Sequence, residues 1–298
     1  MTTLDQFLRA AIETLTRAGV GSPRLTAETL LMFTLGCDRA HLFAHPERIL
    51  TADENARFAA ALGQRTRGVP TQYITGHQEF WGMDLIVSPA VLIPRPETEH
   101  LVESVLELAR GVRSPCCLSP GFASPGVPSP RIVDVGTGSG CIALALSKEL
   151  PYAEIHAVDM SQDALVIARA NATRLGFYER VHFQESDLLG AFSRDTARFD
   201  FVVSNPPYVS DLDKVTLQPE VRDFEPHAAL FAGPTGLDVI ERLIPQALRA
   251  LKRGGWLLME MGKGQDVPLR DVLQKWNNLR FIPDLQGIPR VVAAQAPV

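Results

Sequence analysis

From the start of the chain, Leu4, Phe7, Leu8, Ala11, Ile12 and Leu15 place apolar side chains at helical spacing, with polar residues between them. Gly19, Gly21 and Pro23 interrupt this pattern, and Leu25 to Leu35 supplies a second helical stretch. Thr51-Ala52-Asp53-Glu54 has the form of a capping box, in which Thr51 and Glu54 satisfy each other's free backbone N–H. It predicts a helix carrying Phe58, Ala61 and Leu62. Residues 1–69 are therefore expected to form a small helical domain without chemistry of its own, suited to gripping a partner.

The pattern changes after Pro70. Tyr73, Ile74, Phe80, Trp81, Leu85, Ile86 and Val87 are strand formers broken by Gly76, Gly82 and Pro89, which predicts a β-hairpin connector over 70–96. Pro94-Arg95-Pro96-Glu97-Thr98-Glu99 leads into Leu101, Val102, Val105, Leu106 and Leu108 at helical spacing. Proline and carboxylates in the first turn suit a helix N-terminus. Gly111 to Pro130 is rich in Pro, Ser and Gly and reads as a flexible insertion, with Cys116 and Cys117 inside it.

Strands and helices then alternate. Strands are expected at Arg131–Val135, Ile155–Val158, Val181–Gln184, Phe199–Ser204 and Trp256–Glu260, with two more at Leu279–Leu285 and Arg290–Ala294. Helices are expected at Cys141–Leu150, Gln162–Leu175 and Leu237–Leu251. Such alternation implies right-handed βαβ crossovers and an α/β, doubly wound, largely parallel sheet within 97–298. Ligands of such sheets bind beyond the carboxyl ends of the strands.

Composition narrows the field. In 298 residues, 46% are hydrophobic, enough for two cores. The longest apolar runs, such as Ile142 to Leu146, are far too short to span a membrane, and the N-terminus reads as an amphipathic helix rather than a targeting segment. Four cysteines without CxxC spacing suggest reduced thiols of a cytoplasmic protein, and no metal is expected. The net charge of −5 argues against a protein that grips nucleic acid by its phosphates, and points to a protein or small-molecule substrate.

The first strand of the alternating region runs into Gly136-Thr137-Gly138-Ser139-Gly140. Glycines there allow a tight turn and close approach of a ligand. The spacing is Gly-x-Gly-x-Gly, and Cys141 stands where a dinucleotide fingerprint would have its third glycine, which favours S-adenosylmethionine over a pyrophosphate cofactor. Asp159 ends the second strand, where a carboxylate can accept from both ribose hydroxyls, and Ser161 is the better placed cap for the following helix. After the third strand, Asp187 could accept from the adenine amino group and Leu188 could pack on the adenine face.

The fourth strand ends in Asn205-Pro206-Pro207-Tyr208. An amide or aryl amine nitrogen is a poor nucleophile because its lone pair is delocalised. The side-chain oxygen of Asn205 and the carbonyl of Pro206 could accept its two N–H bonds, held rigid by the prolines, while Tyr208 offers a flat face to a planar group. Asn205, Pro206 and Tyr208 are the candidate catalytic residues, and all four of the tetrapeptide are candidate substrate contacts. In-line displacement at a sulfonium methyl then needs neither metal nor covalent intermediate, and no residue must act as general base.

In this setting the tetrapeptide resembles that of the amino-methylating class I (Rossmann-like) methyltransferases. The whole chain is similar to the HemK/PrmC family of release factor glutamine methyltransferases. The resemblance runs through Tyr73-Ile74-Thr75-Gly76, Glu79-Phe80-Trp81-Gly82, Val91 to Glu99, Val133 to Leu146, Asn205 to Val209 and Glu225 to Gly233 with Gly236-Leu237. It implies N5-methylation of the glutamine in the Gly-Gly-Gln loop of peptide chain release factors, with the N-terminal domain helping to hold the factor. It also implies cofactor contacts at Gly136 to Gly140, Asp159, Leu188 and Asn205. Two departures stand out: the insertion at 111–130 is longer than the family pattern, and Leu188 occupies a place where the family often has an aromatic. Arg95 and Glu97 either line the substrate cleft or form only a capped helix start.

Three rivals remain. A sister family methylates a glutamine of a large-subunit ribosomal protein but lacks the Arg-Pro-Glu-Thr-Glu linker. A nucleic acid amino (adenine or guanine) methyltransferase would bring a recognition domain or a basic face. A non-catalytic binding module would have no need of the glycine turn, Asp159 and the tetrapeptide together. The expectation is a cytoplasmic monomer that binds release factors, without membrane association or direct nucleic acid contact.

Overall fold

In the computed structural model, which describes residues 2–111, 129–193 and 197–298, the chain divides into two compact units. One comprises Met1–His77 with Leu217–Phe224, the other Gln78–Thr216 with Glu225–Val298. The segment expected as an insertion lies almost wholly outside the described residues, as do Cys116 and Cys117.

In the first unit, α1 (Leu4–Arg17), α2 (Pro23–Leu35) and α4 (Ala52–Thr66) pack Leu4, Leu15, Leu30, Leu31 and Phe58 into one buried cluster. Capping explains where the helices begin. Thr3 and Gln6 form one reciprocal box, and Thr51 and Glu54 form the one expected from their spacing. A short α3 (Arg39–Ala44), capped by Asp38, escapes sequence periodicity because it makes barely two turns. Tyr73 and Ile74, expected in a strand, lie instead in α5 (Thr71–Thr75). Pro70 presets the helical start and Gly76, at φ +77°, stops it, so local chain geometry overrides side-chain propensity. α9 (Pro219–Phe224) completes the unit, where Glu220 pairs with the buried Arg65 at 2.5 Å.

The hairpin is confined to β1 (His77–Phe80) and β2 (Met83–Ile86). Beyond it the second unit is built on a seven-stranded sheet. Its strands are β3 (Arg131–Val135), β4 (Glu154–Asp159), β5 (Val181–Glu185), β6 (Phe199–Ser204), β7 (Leu251–Glu260), β8 (Asn277–Pro283) and β9 (Pro289–Gln295). Their order is β5-β4-β3-β6-β7-β9-β8; the first five positions pair in parallel, and β9 runs antiparallel to both its neighbours. Alternate residues serve opposite faces. Phe201, Val203, Trp256 and Leu258 join the core beneath α6 (Glu99–Gly111) and α7 (Cys141–Glu149). Val202, Leu257 and Met259 join the core beneath α10 (Asp238–Ala250) and α11 (Asp266–Val272). α8 (Gln162–Leu175) contributes Ala172 to the first of these cores.

The chain leaves β3 toward β4 and β5, then returns to place β6 on the other side of β3. Strand order thus reverses between β3 and β6, and a crevice opens there at their carboxyl ends. This class I, Rossmann-like arrangement is the α/β fold expected from the alternation. No helix among the described residues is long and apolar enough to cross a membrane.

Candidate active site

The crevice holds a cavity of about 210 Å³, bordered by the turn after β3, the end of β4, the loop after β5 and the start of the loop after β6. Gly136, Thr137, Gly138 and Ser139 all line it. Gly136 and Gly138 have φ of +74° and +55°, and a side chain on either would project into open space, so the turn leaves room for a ligand at its surface. Gly140, expected among the cofactor contacts, is not in the lining. Its place is structural, since a Cβ there would stand 3.2 Å from Leu144 and 3.3 Å from Ala168. The glycine lets α7 and α8 approach.

Asp134 braces the turn from beneath, although sequence pattern did not single it out. Its Oδ2 accepts from the Thr137 hydroxyl at 2.6 Å and from the Ala143 N–H at 3.2 Å. Full burial pushes its carboxyl up to about 7, against the opposing pull of those two donors. Burial likewise pushes the adjacent Cys141 thiol up to about 12, which makes it an inert packing residue.

Asp159 lines the cavity from the end of β4. Its Oδ2 accepts from Gly138 N–H at 2.8 Å and its Oδ1 from Ser161 N–H at 2.9 Å, and each oxygen keeps a second lone pair for a ligand hydroxyl. Burial raises its pKa, while the backbone donors of Ser161, Gly138 and Met160 oppose the rise. Ser161, not Asp159, caps α8 through Ala164 N–H. Asp187 and Leu188 also lie in the lining. The Asp187 carboxylate pairs with Arg242, and Leu188 takes a left-handed backbone at φ +52°.

The residues present fit S-adenosylmethionine. Ser139 Oγ is buried with only the weakly bonding Cys141 thiol beside it, and it borders the same space as the open glycine turn and Asp159. A ligand with both polar and apolar parts would satisfy that oxygen and cover the apolar lining.

The loop after β6 adjoins the cavity. Asn205 and Pro207 line it, Pro206 is buried, and Tyr208 is half-buried beside them. Asn205 Nδ2 donates to Thr98 Oγ1 at 3.1 Å, and Thr98 Oγ1 donates to Glu260 Oε2 at 2.6 Å. Tyr208 donates its hydroxyl to Glu260 Oε1 at 3.0 Å. Glu260 ends β7 and is 2% exposed. Burial raises its carboxyl pKa; the Thr98 and Tyr208 hydroxyls lower it, Glu97 adds to the rise, and Arg290 opposes it. Burial, then the Glu260 charge, raises the Tyr208 phenol far above its ordinary range, so it stays a donor. The main chain of the loop is held as well: Gln265 Nε2 donates to Tyr208 O at 3.0 Å and to Gly236 O at 3.1 Å.

Arg95 both faces the cavity and is held by Glu225 at 2.6 Å, and that carboxylate, 1% exposed, also accepts from Ile93 N–H at 3.4 Å. The carboxylate is buried and the Arg95 side chain half-buried, and the pair ties the linker to the segment after α9. Glu97 is exposed, and Glu99 accepts from Trp81 N–H at 2.8 Å. Pattern reading missed Glu225, Glu260 and Gln265 as part of the site. Glu260 had one visible signal, a carboxylate closing the apolar run Trp256-Leu257-Leu258-Met259.

A family model described as the PrmC N-terminal domain matches residues 6–76, and one described as the methyltransferase small domain matches 122–221. The release factor glutamine methyltransferase of Koribacter versatilis is 52% identical to this chain over 296 residues, covering 99% of each. The chain belongs to the release factor glutamine methyltransferase family. The family's enzyme from Geobacter sulfurreducens is 40% identical over 286 residues, 94% of this chain and 92% of its own. Solved structures show the same methyltransferase fold at greater distance. The human METTL16 catalytic domain in complex with a 3′UTR hairpin aligns with a TM-score of 0.54 at 16% identity, over 81% of each chain. The METTL16 N-terminal domain in complex with SAH gives 0.50 at 17%, again over 81% of each. At such identities the likeness speaks for the fold alone.

Proposed function

We propose that this chain transfers a methyl group from S-adenosylmethionine to the side-chain amide nitrogen (N5) of the glutamine in the Gly-Gly-Gln motif of peptide chain release factors. The observation that carries this is the Asn205 amide. Its Nδ2 is committed to Thr98, so its Oδ1 is the end left to accept an N–H, and it stands at the edge of the cavity shared by the glycine turn and Asp159.

When bound, S-adenosylmethionine supplies an electrophilic methyl on a sulfonium. Gly136 to Ser139 and Asp159 orient the cofactor, with Asp187 and Leu188 at its adenine end. Asn205 Oδ1 and the Pro206 carbonyl accept the two amide N–H bonds of the substrate glutamine, and Tyr208 flanks its plane. As the nitrogen gains positive character its N–H groups become stronger donors, so these acceptors stabilise the transition state more than the ground state. Glu260 is 2% exposed and is not among the residues that line the cavity, so it is not placed to take the proton. The proton leaves to water after transfer. The helical unit holds the release factor, and the chain acts in the cytoplasm as a monomer without gripping nucleic acid, in keeping with its net charge of −5.

The test is incubation with labelled S-adenosylmethionine and, separately, release factor, ribosomal protein, DNA and RNA. Label on the release factor is expected. Label on the ribosomal protein or on nucleic acid alone would overturn the substrate while leaving the cofactor in place.

A further inference from the structure

Asn205 is a symmetric-looking amide that could present either end to the substrate. Only one end is useful. With Oδ1 toward the glutamine it accepts an N–H and aims the nitrogen lone pair; with Nδ2 there, two donors would face each other. Something must choose, and the prolines that stiffen the main chain cannot, because the choice is a rotation about the side-chain amide.

The choice is made two hydrogen bonds away. Glu260 accepts from two hydroxyls that arrive from different parts of the chain, Thr98 at 2.6 Å from the linker run and Tyr208 at 3.0 Å from the catalytic loop. An ionised carboxylate accepts only, and the two hydroxyl bonds favour that form against the pull of burial, so in that form both hydroxyls donate to it. The single proton of Thr98 Oγ1 is then spent on Glu260, and its lone pairs face Asn205. An oxygen that can only accept at that position demands the Nδ2 end of Asn205, which turns Oδ1 outward. Thr98 is 1% exposed and Glu260 2%, so no solvent competes for these bonds.

We propose that Thr98 and Glu260 are positioning residues for methyl transfer, which through this one-way chain of hydrogen bonds hold the Asn205 amide with Oδ1 toward the substrate nitrogen. This rests on the reading of Asn205 as the substrate acceptor. Neither residue touches the reacting atoms. Their effect should therefore fall on the rate of the bound complex and spare the binding of either partner.

The experiment compares the wild-type chain with Thr98→Val, Thr98→Ser, Glu260→Gln and the Thr98→Val/Glu260→Gln double variant, using labelled S-adenosylmethionine and release factor. Thr98→Val keeps the shape and removes the hydroxyl, so kcat is expected to fall by roughly 10- to 100-fold. The KM for release factor and the calorimetric Kd for the cofactor should stay within about twofold of wild type. Thr98→Ser restores the hydroxyl and should restore kcat. The double variant should lose no more than the worse single one, because both substitutions break the same chain. Independently of turnover, the Asn205 side-chain amide protons, followed by nitrogen-resolved NMR in the cofactor-free chain, should exchange roughly tenfold faster in Thr98→Val once their acceptor is gone. Wild-type kcat in Thr98→Val, equal losses in Thr98→Val and Thr98→Ser, additive losses in the double variant, or unchanged Asn205 exchange would each overturn the proposal. If the wild-type chain leaves release factor unlabelled, the functional reading fails instead, and the exchange measurement still decides the orientation of Asn205.

Discussion

Gly236 offers a sharp perturbation of the catalytic loop from outside it. A Cβ at this position would lie 2.3 Å from the Tyr208 carbonyl oxygen, and 3.1 Å from both Ser210 N and Gln265 Nε2. Ordinary contact begins near 3.4 Å, so in Gly236→Ala the Tyr208 carbonyl must retreat by about 1 Å, breaking its bond from Gln265. Asn205 lies three residues upstream on the same rigid run. A misplacement of that size is worth roughly 100-fold in rate when it shifts a substrate-orienting group. The substitution also forces alanine to φ +74°, a strain of about 1–2 kcal/mol. Gly287→Ala separates the two effects, since Gly287 has φ +80° with no atom within 4 Å of its would-be Cβ. Both variants should lose the strain-related stability by thermal melt, Gly236→Ala losing more because of its backbone clash. In steady-state methyl transfer, Gly236→Ala alone should lose kcat, by about 100-fold, with cofactor Kd by calorimetry little changed. A Gly236→Ala enzyme with the kcat of Gly287→Ala would refute the claim that Tyr208's main chain sets the substrate geometry.

Other substitutions probe separate parts of the site. Asp159→Asn turns one acceptor into a donor facing either Gly138 N–H or Ser161 N–H, and should weaken calorimetric cofactor binding by roughly tenfold or more; an unchanged Kd would remove Asp159 from the cofactor site. Arg95→Ala removes the charge partner of the buried Glu225 carboxylate and should destabilise the chain by roughly 1–3 kcal/mol in urea denaturation, with a near-neutral result showing that the pair contributes nothing. Asp134 carries a pH signature. Its folded pKa of about 7 lies above the ordinary 3.8, so its contribution to stability is complete below the ordinary carboxylate range and is lost as pH rises through about 7. That rise corresponds to of the order of 4 kcal/mol, so the urea midpoint of the cofactor-free chain should fall between pH 5 and pH 8. Asp134→Asn, which keeps an acceptor for Thr137 and Ala143, should flatten that fall, and an identical slope would contradict the assignment.

Much of this site was legible along the chain because its main parts are local. The turn from Gly136 to Ser139, Asp159, and Asn205 to Tyr208 each follow directly on an apolar run, and β3 and β6 take the expected bounds of Arg131–Val135 and Phe199–Ser204. What escaped is long-range. Thr98 and Glu260 are 162 positions apart, and Arg95 and Glu225 are 130 apart, so no spacing rule could join them. Gly140 stands outside the cavity lining, and a glycine in a ligand turn and a glycine under a helix contact look alike in sequence. Tyr73 and Ile74 misled because strand propensity reports side-chain packing on a sheet, while the flanking Pro70 and Gly76 govern the backbone directly. The linker run from Ile93 to Glu99 shows why so many of its residues are particular. Ile93 and Arg95 hold Glu225, Thr98 links Asn205 to Glu260, and Glu99 holds Trp81.

The central claim is that Asn205 and Pro206 aim a glutamine amide nitrogen at the cofactor's methyl carbon. The most direct test is peptide mapping by mass spectrometry of a release factor incubated with S-adenosylmethionine and either the wild-type chain or Asn205→Ala. One methyl group should be found on the side-chain nitrogen of the Gly-Gly-Gln glutamine with the wild-type chain, and none with Asn205→Ala, although that variant still binds the cofactor. A methyl group on any other atom, or the same modification by both proteins, would contradict the account.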